Sequence, residues 1–114
     1  MIKPELLHGL FTTAMEGGIG YWSSTNLYHW MNGDEEDLKF FAAEIVEEDT
    51  ERVIRIDLNI IELGLRRAIA DHQDTLRWST EPPEMCRHLE DWDYDAGDAD
   101  MIVQLGIFGE VVYG

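Results

Sequence analysis

The sequence predicts an α+β fold, with about three helices packed on a small antiparallel sheet. Apolar residues recur at three- and four-residue spacing in three stretches, as on the buried faces of helices. Two further apolar runs, at about 40–46 and 52–58, flank a short acidic segment and are typical of a β-hairpin. The chain has 114 residues, of which 45% are hydrophobic, and this is enough for one packed core. We therefore expect residues 1–114 to form a single acidic α+β domain.

The first predicted elements are a helix and an extended segment. Pro4 is tolerated in a first helical turn, and the apolar spacing after it predicts a helix over about 4–16. Gly17 and Gly18 are expected to stop this helix. The stretch 20–30 is aromatic and rich in hydroxyl groups, which suits a strand or an ordered loop better than a helix.

The second predicted helix follows the hairpin directly. Asp57 or Asn59 can cap its free backbone N–H groups with a short polar side chain. Gly64 lies in the middle of this helix, where glycine costs about 1 kcal/mol relative to alanine. We therefore expect close packing against a neighbouring element at Gly64.

The third predicted helix spans about 99–108. Asp98 is placed to cap its start, and Gly109 is placed to end it. The residues that follow, 110–113, are largely apolar, so we expect them to pack back on the domain.

The charge of the chain excludes several classes of function. Asp and Glu number 24 against 8 Lys and Arg, which gives a net charge of −16. Such a chain lacks the basic patch that binds nucleic acid or an anionic membrane directly.

No stretch approaches the roughly 20 apolar residues of a membrane span, and the opening lacks the pattern of a secretory signal. Cys86 is the only cysteine, so we expect no intrachain disulfide and a cytoplasmic location.

No metal, cofactor or catalytic residue is predicted. Asp91, Asp93 and Asp95 have the alternate spacing of the first three ligands in a calcium loop. That loop also needs a glycine where Ala96 stands and a glutamate where Ile102 stands. The histidines and the cysteine are too scattered for a zinc site, and no nucleophile elbow surrounds any serine. We therefore favour a non-enzymatic function.

Polar and aromatic residues near the two ends of the chain form a candidate ligand site. Tyr21 and Trp22 offer large faces with a polar edge beside a glycine-rich turn. Asp100 and Gln104 lie four residues apart, hence on one face of the third helix. The candidate ligand-binding residues are Glu16, Gly17, Gly18, Tyr21, Trp22, Asp100 and Gln104. The alternative is a buried hydrogen-bond network that fixes helix packing, and the sequence leaves both open.

The same two stretches carry a resemblance to known proteins. An A-x-E-G-G-x-x-Y-W pattern spans Ala14 to Trp22, and a D-x-x-x-Q-x-x-x-F-G-E pattern spans Asp100 to Glu110. With both patterns, the chain resembles a family of small uncharacterised proteins encoded by tailed bacteriophages and prophages. No activity is established for that family, so the resemblance implies a phage origin and a bacterial host cell more than a function.

Charge and resemblance together predict a non-enzymatic acidic protein that binds a basic surface of a host or defence protein. Inhibition by DNA-like negative charge is one expected outcome of such binding. The expected partner-binding residues are Asp34, Glu35, Glu36, Asp37, Glu47, Glu48, Asp49, Asp91, Asp93 and Asp95. The alternative is a nucleotide- or metabolite-binding protein, or a minor enzyme, with a pocket between the Gly17–Trp22 turn and the C-terminal helix.

Overall fold

The fold is the α+β arrangement that the sequence predicts: the described part of the chain forms three α-helices and a three-stranded antiparallel sheet in the order β1-β2-β3. The computed structural model describes residues 4–30, 41–71 and 94–114. The elements are α1 (Pro4–Thr13), a π-helical turn (Ala14–Gly18), β1 (Ser23–Trp30), β2 (Phe41–Glu47), β3 (Val53–Asp57), α2 (Leu58–Asp71) and α3 (Ala96–Phe108). Among the described residues, none of the helices combines the length and apolarity needed to cross a membrane.

The predicted hairpin is β2 and β3, within one residue of the expected bounds at each end that the structure describes. Ala43 lies opposite Ile56, and Ile45 opposite Ile54, so that alternate residues share a face. Ala43, Ile45 and Ile56 are fully buried and place that face in the core. The turn closes at Glu51, which has a left-handed φ of 60°. β1 pairs antiparallel with the other edge of β2, which makes β2 the central strand.

The helical run ends at the glycines, as predicted, but it is not one regular α-helix, because α1 itself ends at Thr13. After Thr13 the chain continues into the π-helical turn, in which the N–H of Ile19 donates to the carbonyl of Ala14, at 3.0 Å. Gly17 and Gly18 lie inside this turn. Glycine is required at position 18 because a Cβ there would lie 2.8 Å from the carbonyl oxygen of Ala96.

Substitution by alanine is expected to change the unfolding free energy in opposite directions at the two adjacent glycines. In Gly18→Ala the new methyl group meets the backbone of α3, which cannot turn away, so we expect a loss of about 2 kcal/mol in unfolding free energy. In Gly17→Ala nothing lies within 4 Å of the added Cβ, so we expect a gain of about 0.5 to 1 kcal/mol from reduced freedom of the unfolded chain. Urea unfolding of the two variants measures both. Equal effects would contradict the packing of the π-helical turn against α3.

The helix α2 begins directly after Asp57, which is one of its two candidate caps. The Asp57 carboxylate accepts the N–H of Ile60, at 3.0 Å, so Asp57 and not Asn59 is the cap. Gly64 lies against α3, where a Cβ would lie 1.9 Å from the carbonyl oxygen of Ile102, so the expected close packing is confirmed. Gly106 has the reciprocal position, since a Cβ there would lie 2.3 Å from the carbonyl oxygen of Ile60. The two helices therefore cross in backbone contact.

The helix α3 begins three residues earlier than predicted. Its cap is Asp95, whose carboxylate accepts the N–H of Asp98 at 2.9 Å. Asp98 is the other half of a capping box, because its carboxylate accepts the N–H of Asp95 at 3.1 Å. Gly109 ends α3 as predicted, with φ of 77° and its N–H donated to the carbonyl of Leu105. The Arg67 side chain also donates to that carbonyl, at 2.5 Å, and so ties α2 to the end of α3.

One hydrophobic cluster joins the helices to the sheet. Fully buried members come from α1, the sheet, α2 and α3: Leu10, Phe11, Ile45, Ile56, Ile61, Leu65, Ile102 and Leu105. At about 25 cal/mol for each Å² of apolar surface removed from water, such a cluster dominates the stability of a domain of this size. It also fixes α3 relative to the chain that follows α1, where the polar candidate residues lie.

Candidate functional site

The structure brings Tyr21, Trp22, Asp100 and Gln104 into one hydrogen-bonded cluster. The Tyr21 hydroxyl donates to Oδ2 of Asp100 at 2.6 Å, and the indole N–H of Trp22 donates to Oδ1 at 2.8 Å. Nε2 of Gln104 donates to the same Oδ1, at 2.9 Å. Asp100 is 9% exposed and Gln104 is 1% exposed, so the carboxylate and the amide are held in the interior.

The local chain path explains why the two aromatic residues reach α3. After the π-helical turn, the carbonyl of Ile19 accepts the N–H groups of Trp22 and Ser23, at 3.2 and 3.1 Å. The Ser23 hydroxyl donates to the same carbonyl, at 2.9 Å. This tight turn places Tyr21 and Trp22 beside the face of α3 on which Asp100 and Gln104 lie one helical turn apart.

The other three candidate ligand residues do not join the cluster in the same way. Glu16 and Gly17 are exposed, and Gly18 is buried against the first turn of α3. Of the seven residues, four therefore meet through side-chain hydrogen bonds. Their role in binding a ligand stays a prediction.

Gln104 extends the cluster to residues 110–114, which we call the 110–114 segment. Its Oε1 accepts the N–H groups of Val112 and Tyr113, both at 2.8 Å. Its Nε2 donates to the carbonyl of Tyr113, at 3.1 Å. The Tyr113 ring stacks on Trp22, with centroids 5.2 Å apart and planes 6° apart. The expected return of this segment to the domain is confirmed at Tyr113, whereas Val111 and Val112 remain exposed.

Glu47 is a second carboxylate that a tyrosine reaches. It accepts the Tyr113 hydroxyl through Oε2 and the Thr50 hydroxyl through Oε1, the latter at 2.8 Å. Arg52 lies 3.4 Å from Oε1. The hydrogen bond from Tyr113, followed by that from Thr50 and the charge of Arg52, holds the pKa of Glu47 below its usual value. Glu47 is only 4% exposed, unlike its neighbours Glu48 and Asp49, and its role in partner binding stays a prediction.

Both tyrosines hold their protons tightly. Burial, followed by the hydrogen bond to Asp100, raises the pKa of Tyr21 to about 12. The hydrogen bond to Glu47, followed by burial, raises the pKa of Tyr113 to about 12. Because both values lie above the ordinary 10, each group favours the folded state fully below pH 10. That contribution is lost as the pH rises through 12.

We expect the unfolding free energy to fall between pH 10 and pH 12, because deprotonated Tyr21 and Tyr113 would each face a carboxylate. Urea unfolding at stepped alkaline pH measures the decline. The double variant Tyr21→Phe/Tyr113→Phe, which lacks both hydroxyl groups, is expected to be less stable at neutral pH and to lose less across this interval. An equal decline in the double variant would assign the effect to other groups.

The cluster is internally satisfied. Both oxygens of Asp100 accept hydrogen bonds, and the amide of Gln104 donates through Nε2 and accepts through Oε1. Buried polar groups with every partner in place rigidify a fold. The geometry therefore favours the hydrogen-bond network over an open polar pocket.

The predicted partner-binding acids have different surroundings. Glu48 and Asp49 are exposed on the β2–β3 turn, and Glu48 also accepts the Ser24 hydroxyl at 3.2 Å. Asp95 is half-buried and caps α3. The remaining predicted residues, Asp34, Glu35, Glu36, Asp37, Asp91 and Asp93, lie outside the described residues.

Known proteins add no assignment to these contacts. No protein-family model, curated protein or solved structure matches this chain significantly. Within residues 4–30, 41–71 and 94–114, no group of three or more His, Cys, Asp or Glu side chains is arranged to hold a metal ion. A functional proposal therefore depends on the charge of the chain and on its own geometry.

Proposed function

We propose that this protein is a non-enzymatic acidic binding protein of tailed-bacteriophage type. It acts in the cytoplasm of the bacterial host, where it binds a basic surface of a host or defence protein and can inhibit that protein as a DNA mimic. The net charge of −16 carries the proposal. A field of this sign attracts basic grooves over a distance of about one Debye length, roughly 8 Å at physiological salt, and repels nucleic acid.

Three exposed carboxylates of the β2–β3 turn supply a defined part of the binding surface. Glu48, Asp49 and Glu51, which we call the acidic turn, project from a hairpin whose strands are anchored in the core. The neighbouring Arg52 is engaged by Glu47 and lies 5.6 Å from the centre of the Phe108 ring. The acidic turn therefore presents negative charge on a rigid support, which lowers the entropic cost of binding.

The alternative, a nucleotide- or metabolite-binding protein or a minor enzyme, has less support. Its pocket would use Asp100 and Gln104, and both oxygens of the Asp100 carboxylate already accept hydrogen bonds within the domain. A ligand would have to break these bonds and replace them, which costs the desolvation energy of each buried group.

A capture experiment with matched charge variants tests the proposal. The immobilised protein is exposed to a bacterial host lysate, and bound proteins are eluted by salt or by double-stranded DNA. We expect to recover a nucleic-acid-handling protein. Double-stranded DNA should displace it, and it should elute as the salt concentration rises. The variant Glu48→Lys/Asp49→Lys/Glu51→Lys is expected to lose most of this capture, since it reverses the charge of the acidic turn.

The matched control is Glu5→Lys/Glu16→Lys/Glu110→Lys. It changes the net charge by the same amount at three exposed positions elsewhere. We expect it to retain capture better than the acidic-turn variant. Recovery of no nucleic-acid-handling protein, or binding that salt does not weaken, would contradict the proposal.

A further inference from the structure

We propose that Trp22, Glu47 and Gln104 form a peptide-recognition site that the chain's own 110–114 segment fills. When that segment leaves, the site binds a tyrosine-bearing segment of a partner protein. This inference uses a different surface from the acidic turn and does not depend on the proposed function.

Gln104 binds the backbone of the segment through hydrogen bonds. One side-chain amide accepts two successive N–H groups, those of Val112 and Tyr113, and donates to the Tyr113 carbonyl. These bonds involve no side chain of the segment, so any chain that turns two successive free N–H groups to one side can form them. They supply affinity and register, and they leave selectivity to other contacts.

Trp22 and Glu47 bind the Tyr113 side chain. The Tyr113 ring lies flat on the Trp22 indole, and its edge meets Phe108 at a centroid distance of 6.2 Å. At the far end of the ring the hydroxyl donates to the buried Glu47 carboxylate. Stacking accepts any aromatic ring, whereas a buried carboxylate requires a hydroxyl donor. The site is therefore selective for tyrosine over phenylalanine.

The receptor side chains are held in place without the segment. Trp22 and Gln104 both donate to Asp100, and Glu47 accepts from Thr50 and pairs with Arg52. Each of these partners lies outside the 110–114 segment. The site is thus organised before a peptide arrives, which lowers the cost of binding one.

The segment itself is attached in a way that permits release. Gly109 adopts the left-handed conformation that ends α3, and residues 109–112 are all exposed. The hydrogen bonds to the segment are concentrated on Val112 and Tyr113. A second copy of this chain is a poor source of the incoming tyrosine, because each copy carries a net charge of −16 and the copies repel.

Binding of a synthetic peptide to the full chain tests the inference. The probe is a fluorescein-labelled peptide with the sequence of residues 110–114, amidated at its end, and the readout is fluorescence anisotropy. In the unchanged protein the internal segment competes at an effective concentration near millimolar, so we expect weak binding. In Tyr113→Ala, which empties the side-chain position, we expect affinity for the peptide to rise at least about tenfold, because the competitor has lost its anchor.

Two peptide controls leave the protein untouched. Phenylalanine in place of the peptide tyrosine removes the donor to Glu47, and we expect affinity to fall about tenfold. Alanine at that position also removes the stacking on Trp22, and binding should be lost. Equal affinity for the tyrosine and phenylalanine peptides would overturn the proposed selectivity.

A second protein variant covers the case in which Tyr113→Ala does not fold. Val112→Pro removes one N–H that Gln104 accepts and leaves every core side chain in place. Folded variants that fail to bind the peptide would overturn the inference. Unfolding of both variants would overturn it as well, because the segment would then be an integral part of the core. Dimers of the unchanged protein in light scattering, dispersed by the peptide, would assign the site to a second copy and overturn the assignment to a partner protein.

Discussion

Gly64→Ala is expected to lower the unfolding free energy by about 3 kcal/mol, a large part of the 5 to 15 kcal/mol that holds a typical domain together. The added methyl group would lie 1.9 Å from the Ile102 carbonyl oxygen and 3.0 Å from the Gly106 nitrogen. Both are backbone atoms of a helix, so neither can rotate away. The helices α2 and α3 must separate instead, and the apolar contacts between them open. Urea unfolding measures the loss.

Two further variants show whether the loss arises at the helix crossing. Gly106→Ala places a methyl group 2.3 Å from the Ile60 carbonyl oxygen and should be costly for the same reason. Once the helices have separated, the second methyl group costs less, so the double variant should lose less than the two single losses added together. Gly17→Ala, where the methyl group has open space, serves as the matched control. A near-neutral Gly64→Ala would contradict the backbone contact.

Gln104→Leu is expected to cost about 3 kcal/mol, because leucine fills the space of glutamine without its hydrogen bonds. The buried Asp100 carboxylate would lose a donor, and the N–H groups of Val112 and Tyr113 would lose their acceptor. Hydrogen exchange should show faster exchange at these two amides than the global loss alone explains. Urea unfolding gives the total.

Asp100→Asn is the graded comparison for Gln104→Leu. The amide keeps an oxygen that accepts from Trp22 and Gln104 and loses the negative charge, so we expect a smaller cost of about 1 to 2 kcal/mol. Unchanged stability in Gln104→Leu would mean that the amide is not part of a structural network. The polar-pocket hypothesis would then regain its support.

The sequence predicts the elements that depend on neighbouring residues. The hairpin follows from alternation around an acidic turn, and the end of α3 follows from one glycine with a left-handed φ. Gly64 is informative in the same way, since a glycine inside a helix needs a reason that packing supplies. The start of α3 is less certain from sequence because Asp95 and Asp98 are both good caps, and in the structure each satisfies an N–H of the other.

The structural features that the sequence does not predict depend on contacts between residues that are far apart along the chain. Glu47 belongs to a run of acids that looks solvated, yet it is buried and accepts a hydrogen bond from Tyr113, 66 residues away. No periodicity links the two positions. The meeting of Tyr21 and Trp22 with Asp100 was accessible only as a hypothesis, because it required α3 to pack on the chain after α1. The π-helical turn gives no local signal, since its glycines suit an ordinary helix end equally well.

Because of the π-helical turn, the number of residues in the stretch 14–22 determines the direction in which Tyr21 and Trp22 point. The backbone bond of this turn joins Ala14 to Ile19 and so takes in one residue more than an α-helical turn does. Each helical residue advances the direction of the chain by about 100° around the axis. A deletion of one residue would let the helix run on regularly and would rotate Tyr21 and Trp22 away from Asp100. Insertions and deletions in this stretch are therefore far less tolerable than exchanges of its exposed side chains.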